Sequence, residues 1–109
     1  MDWSQASGDE IERGLTHFGG LRAAADAELC ELIQAADHSQ MWMGDGARSL
    51  SEWVSLRLGV RFPAAKRMVA VARRLESLPH LSACFSAGGL SLDQVDAVSM
   101  MANPETEQG

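Results

Sequence analysis

The chain has 109 residues, 46% of them hydrophobic, and a formal net charge of −6. That is the size of one small domain. It is too apolar for a disordered segment, and it lacks the ~20 continuous apolar residues that a membrane span needs. Tyr is absent and Ile occurs only twice, while Ala, Leu, Glu, Arg and Met dominate. These are helix formers, so the composition predicts an all-α fold, a compact bundle of about five helices.

In chain order, residues 1–8 read as a loose N-terminal arm. Met1-Asp2-Trp3-Ser4 has neither a basic region nor an apolar run, so no secretory signal is expected and a cytoplasmic location is. A helical domain is expected over residues 9–103. Asp9 and Glu10 suit a helix N-terminus, and Gly19-Gly20 is expected to break that first helix. From Leu21 the positions Leu21, Ala25, Leu29, Leu32, Ile33 and Ala36 recur at three- and four-residue steps, the spacing of one buried helix face. This helix should reach about residue 41, before the turn Gly44-Asp45-Gly46.

Ser49-Leu50-Ser51-Glu52 fits a capping box. The helix it opens should bury Leu50, Trp53, Val54 and Leu58 and end at Gly59 in a left-handed cap. Pro63 opens the next helix, with Met68, Val71, Ala72 and Leu75 as its apolar stripe. Pro79 starts a short helix carrying Leu81, Cys84 and Phe85, ended by Gly88-Gly89. Ser91-Leu92-Asp93-Gln94 is a second capping box, and its helix carries Val95, Val98 and Met101 and stops near Asn103-Pro104. Residues 104–109 read as a polar tail.

The charge is unevenly placed. Residues 53–75 hold six bases (Arg57, Arg61, Lys66, Arg67, Arg73 and Arg74) and no acid, between two acidic stretches. Such a block needs a partner for its field. The helix from Ser49, the turn at Gly59 and the basic helix from Pro63 have the outline of a helix-turn-helix. On that reading Arg61, Lys66, Arg67, Arg73 and Arg74 face duplex DNA. Arg61, Lys66 and Arg67 lie at the end that meets base edges, and Arg73 and Arg74 lie where they reach phosphates. The alternative is a bundle helix neutralised by acids of the Leu21–Met41 helix, in a protein-interaction or homodimer module.

Other chemistry is weakly signalled. His17, His38 and His80 match no zinc spacing with Cys30 and Cys84, so no metal or other cofactor is expected. The two cysteines read as reduced, buried thiols, the alternative being a disulfide between them that nothing in the sequence requires. Asp93 and Asp96 read as a solvated face, and Trp42 and Trp53 as core. Arg48 is expected to pair with Asp45 or with a helix C-terminus. Gly-rich phosphate loops and Ser-His-Asp arrangements are absent, so no catalytic residue and no small-molecule substrate is expected.

The motifs Asp45-Gly46-Ala47-Arg48-Ser49, Glu52-Trp53-Val54, Leu58-Gly59-Val60, Ala65-Lys66-Arg67-Met68-Val69 and Val71-Ala72-Arg73-Arg74-Leu75 follow in order. They lead to Leu78-Pro79 and Leu90-Ser91-Leu92-Asp93-Gln94-Val95. As a set, covering about residues 21–102, they resemble the N-terminal region of the actinobacterial 13E12 repeat family. That resemblance implies an HNH endonuclease module further along in longer relatives and a link to prophage or mobile elements. No His-Asn-His constellation and no Cys-x-x-Cys pair occurs in these 109 residues. The chain is therefore expected to be a non-catalytic, DNA-associated piece or a shortened member.

Overall fold

The computed structural model describes residues 2–102 and Glu105. The fold is all-α, with five helices and no strand among these residues: α1 Gly8–Ser39, α2 Leu50–Leu58, α3 Phe62–Leu75, α4 Pro79–Ser86 and α5 Leu92–Met101. Single 3-10 turns occupy Trp3–Gln5 and Met41–Asp45. The expected stop at Asn103-Pro104 lies outside the described residues, as does the tail apart from Glu105.

Helix starts follow side-chain chemistry. Ser7 and Glu10 form a full capping box at α1, and Ser91 and Gln94 form one at α5. At α2 only half of the expected box exists: the Glu52 amide donates to Ser49 Oγ at 3.1 Å, with no return bond from Glu52. Gly59 closes α2 in the left-handed region at φ 68°, as its position predicts, and its N–H donates to the Ser55 carbonyl.

Gly19-Gly20 does not break the chain. Both lie inside α1, a single helix of 32 residues. Each glycine costs a helix interior roughly 1 kcal/mol, less than continuous hydrogen bonding and packing return. Beside this pair runs the α4–α5 turn. Gly88 has φ 80°, and a Cβ on it would lie 3.0 Å from the Gly20 carbonyl oxygen. Glycine at 88 thus permits a backbone-to-backbone approach.

The buried face of α1 also differs from the large-residue stripe. Ala23, Ala27, Cys30, Ile33 and Ala36 are buried, whereas Leu21, Ala25 and Leu32 are exposed. Helix α3, which packs against α1, α2, α4 and α5, carries Ala65 and Ala72 fully buried. Small residues on both sides bring the two backbones close enough for Gln34 Nε2 to donate to the Ala72 carbonyl at 2.7 Å. Periodicity alone favours the larger residues; the demand for close packing selects the smaller ones.

The other stripes shift less. On α3, Met68, Val71, Ala72 and Leu75 are buried as expected, joined by Ala65 and Val69. On α2, Leu50 and Val54 are buried, Trp53 is half-buried and Leu58 is exposed. On α5, Val95 and Ser99 are buried, while Val98 and Met101 face outward. Cys30 is buried, and burial pushes its thiol up to about 12. Cys84, expected to be buried, is exposed because Leu81 and Phe85 take the inner positions of α4. Both thiols are free.

No residue of α1 before Ala23 is buried. At 1.5 Å per residue α1 is about 48 Å long, which matches the longest molecular dimension of 49 Å. The radius of gyration of 16.1 Å exceeds the ~13 Å of a spherical domain this size because the first turns of α1 project from the bundle.

The two glycine sites make opposite predictions for urea denaturation. Gly19, inside α1 with open space around a would-be Cβ, should gain about 0.5–1 kcal/mol on Gly19→Ala. Gly88→Ala should lose more than about 1 kcal/mol, from the left-handed backbone alone. A loss at Gly19 would mean that the helix is interrupted there.

Candidate nucleic-acid interface

The helix-turn-helix outline is present: α2, a turn over residues 59–61, and α3. Arg61 is the N-cap residue of α3, and Arg61 and Lys66 are exposed. The sequence groups them with Arg67, Arg73 and Arg74 as one DNA-facing set. The structure divides that set, because three of the five are held by the protein's own carboxylates.

Arg67 Nη2 reaches Asp93 Oδ1 at 3.0 Å between two exposed side chains. Arg73 grips Asp37 with two parallel bonds, Nε to Oδ2 at 2.9 Å and Nη2 to Oδ1 at 3.1 Å. This fork holds the Asp37 carboxyl below its ordinary value of 3.8. Arg74 is the most enclosed. Its Nη2 donates to Asp96 Oδ1 at 2.8 Å, and its Nη1 donates to Ser99 Oγ at 2.8 Å and to the Asp96 carbonyl at 3.2 Å. Only 28% of the Arg74 side chain and 20% of the Asp96 side chain is exposed. This arginine draws Ser99 into the core in place of Val98.

One of the three partners lies on the helix the sequence suggests, and two lie elsewhere. Acids on α1 were expected to neutralise α3, and Asp37 does so. Asp93 and Asp96, read from sequence as a solvated face, supply the other two pairs. Their signal is legible in retrospect: two carboxylates three residues apart on α5 meet two arginines seven apart on α3, both spacings of one helix face.

The turn before α2 is built similarly. Asp45 Oδ2 accepts from Trp53 Nε1 at 2.8 Å and from Arg57 Nη2 at 2.9 Å, and these bonds lower its carboxyl from the ordinary value. The Arg57 guanidinium lies 5.5 Å from the centre of the Trp53 ring, within cation–π range. Asp45 therefore takes Arg57, not Arg48. Trp42 and Trp53 pack against the core cluster, as expected of core aromatics.

Between α1, α3 and α5 lies a cleft of about 430 Å³ lined by Arg22, Asp26, Arg67 and Asp93. Its charges cancel, and desolvation raises the Asp26 carboxyl above its ordinary value. A neutral cleft has no field for a polyanion. The histidines are not brought together. His17 meets the edge of Phe18, and His38 Nε2 lies 2.9 Å from Glu76 Oε1. Among the described residues no group of three metal-ligating side chains forms, and no helix is long and apolar enough to cross a membrane.

A family model described as a domain of unknown function (DUF222) matches residues 13–107, and the chain belongs to that family. No curated protein matches. No solved structure matches either.

Two measurements test the paired reading of α3. Arg74→Met should cost about 2 kcal/mol in urea denaturation, because Asp96 and Ser99 lose a partly enclosed partner. Arg73→Met, at an exposed pair, should cost under about 1 kcal/mol. Acidification provides the second. Asp37 titrates lower in the folded than in the unfolded state, so its contribution is present above 3.8 and is lost as pH falls through the folded value. Asp26, raised by burial, works in the opposite sense. Asp37→Asn should therefore flatten the loss of stability between neutral pH and pH ~3. An unchanged slope would dismiss the Arg73–Asp37 pair as a contributor.

Proposed function

We propose that this DUF222 chain is a non-catalytic protein-association module of a 13E12-type, HNH-endonuclease-linked protein, with its basic helix turned to holding the bundle together. The observation that carries this reading is the pairing of Arg67, Arg73 and Arg74 with Asp93, Asp37 and Asp96. Each carboxylate takes up part of its arginine's hydrogen-bonding capacity and offsets its charge, which weakens the attraction for a phosphate. The net charge of −6 adds a repelling field around the whole molecule.

The placement beside an HNH nuclease, in an actinobacterial prophage or mobile element, rests on the 13E12 resemblance of residues 21–102. Cleavage then belongs to the nuclease module and not to these residues, and the proposed setting is cytoplasmic. The module needs no cofactor, metal or small-molecule substrate for such a role.

A second reading, contact with duplex DNA, is favoured by one observation. Arg61 and Lys66 sit exposed at the N-terminal end of α3, where a helix-turn-helix meets the groove, and no carboxylate is bonded to either among the described residues. The two readings differ in salt dependence. Fluorescence anisotropy with random duplex DNA should show weak binding at most, with a log–log salt slope no steeper than about −2 if only these two side chains engage. Arg61→Ala with Lys66→Ala should abolish it. A slope near −4 that falls when Arg67, Arg73 and Arg74 are replaced would reinstate the five-residue DNA face and overturn the association reading.

A further inference from the structure

α1 carries a second apolar stripe that the bundle leaves largely uncovered, with only Leu29 packed partly against the core. Ile11, Leu15, Phe18, Arg22, Ala25, Leu29 and Leu32 are spaced by alternating steps of four and three, the repeat of a two-helix seam. On an α-helix such a stripe drifts by about 20° per heptad, so from Ile11 to Leu32 it winds gradually around α1 as the seam of a left-handed pair does. The inner face of α1, beginning at Ala23, is a different one.

The two ends of this stripe have different shapes. At the N-terminal end Ile11, Leu15 and Phe18 lie on the projecting turns, 42%, 71% and 56% exposed, beside Trp3, which folds back over Gly14. At the C-terminal end Leu29 and Leu32 form the floor of an apolar groove. Met41, Trp53 and Leu58 wall it, and Arg57 stands among them. A ridge and a groove at opposite ends of one helix stripe match each other under a two-fold axis.

We propose that the chain forms a homodimer in which two α1 helices pack antiparallel, the N-terminal turns of each lying in the α1–α2 groove of the other. This rests on the association reading above and names the partner as a second copy. Antiparallel pairing engages both ends at once and closes the assembly, leaving no ridge or groove free to propagate a filament. The heptad register sets Leu15 of one copy opposite Leu32 of the other, and Phe18 opposite Leu29. Charge agrees with this direction. Asp9, Glu10 and Glu12 occupy the first turns of α1, and the docked arm brings them toward Arg57 in the partner's groove, whose guanidinium keeps N–H donors beyond its single bond to Asp45. Arg22, near the middle of the stripe, has Asp26 one turn along as its own counter-charge. The exposed large apolar side chains of ridge and groove amount to on the order of 700 Å² per copy, close to the ~800 Å² each partner brings to a standard interface.

The test uses the full chain in sedimentation equilibrium over a concentration series. Wild type should be a dimer whose dissociation constant changes little with salt. Leu15→Glu and Leu32→Lys, each at an exposed position, should leave the helical circular-dichroism signal intact while raising the dissociation constant at least about tenfold, as loss of a packed anchor does. Mixing the two variants in equal amounts is decisive. In the antiparallel pair the mixed dimer has one wild-type half-site, and in the other the glutamate meets the lysine, so the dissociation constant should return to within about tenfold of wild type. A parallel seam sets 15 against 15 and 32 against 32 and gives no such rescue, so a mixture that stays monomeric overturns the arrangement. A wild type that is monomeric throughout, or variants that dimerise as wild type does, overturns the homodimer. Failure of the association reading itself shows separately, as steep salt-dependent DNA binding through Arg67, Arg73 and Arg74.

Discussion

The close approach of α1 and α3 is the constraint on which the rest of the fold depends. It is possible because both contact faces are built from small residues: Ala23, Ala27 and Cys30 on one helix, Ala65 and Ala72 on the other. Interiors pack at the density of organic crystals, so two alanine faces must come together or leave voids. Once they do, α3 becomes the central helix, touched by α1, α2, α4 and α5. Its remaining surface is a narrow strip, and the fate of its basic residues follows from what lies on either side.

On one side lies the C-terminal part of α1 with Asp37, and on the other lies α5 with Asp93 and Asp96. A block with no acid of its own over 23 residues is thus supplied with acids from both flanks. These pairs are not equal. Arg67–Asp93 is open to water and stabilises little. Arg74 sits in a partly enclosed network with Asp96 and Ser99, where an orphaned partner is costly. The basic helix is thus tied to both of its neighbours, while among its five basic positions Arg61 and Lys66 form no ion pair with the described residues.

The same small-residue packing has a second consequence. By turning its alanines inward, α1 leaves its larger apolar residues outside, on Leu15, Phe18, Leu21 and Leu32. About three turns of helix project beyond the contact of Gly20 with the α4–α5 turn, and an unsupported helix of that length is marginal in water. Large apolar patches on such an element mark a site of association. The choice of which face α1 buries thus also decides which apolar residues it leaves exposed.

By itself, the sequence determined the helical class, nearly every helix boundary after residue 40 and the stops at Gly59 and Gly88. These rest on local chemistry: propensity, Ser49 and Ser91 as caps, and prolines at helix starts all act within one turn of chain. The stripe of α3 was legible for the same reason, since its amphipathic pattern is strong and has one solution. The buried face of α1 was not. Its sequence carries two apolar stripes, one of leucines and one of alanines, and only the opposing surface of α3 decides between them. Gly19-Gly20 misled because a glycine pair signals a break locally, while helix continuity and the nearby Gly88 turn are set by contacts about 70 residues apart in sequence. The candidate DNA face was legible as a charge block, but the carboxylates paired with it were not. Whether an arginine meets a phosphate or the protein's own aspartate depends on which helices flank it, and Asp93 and Asp96 reach Arg67 and Arg74 only through the tertiary packing of α5 on α3.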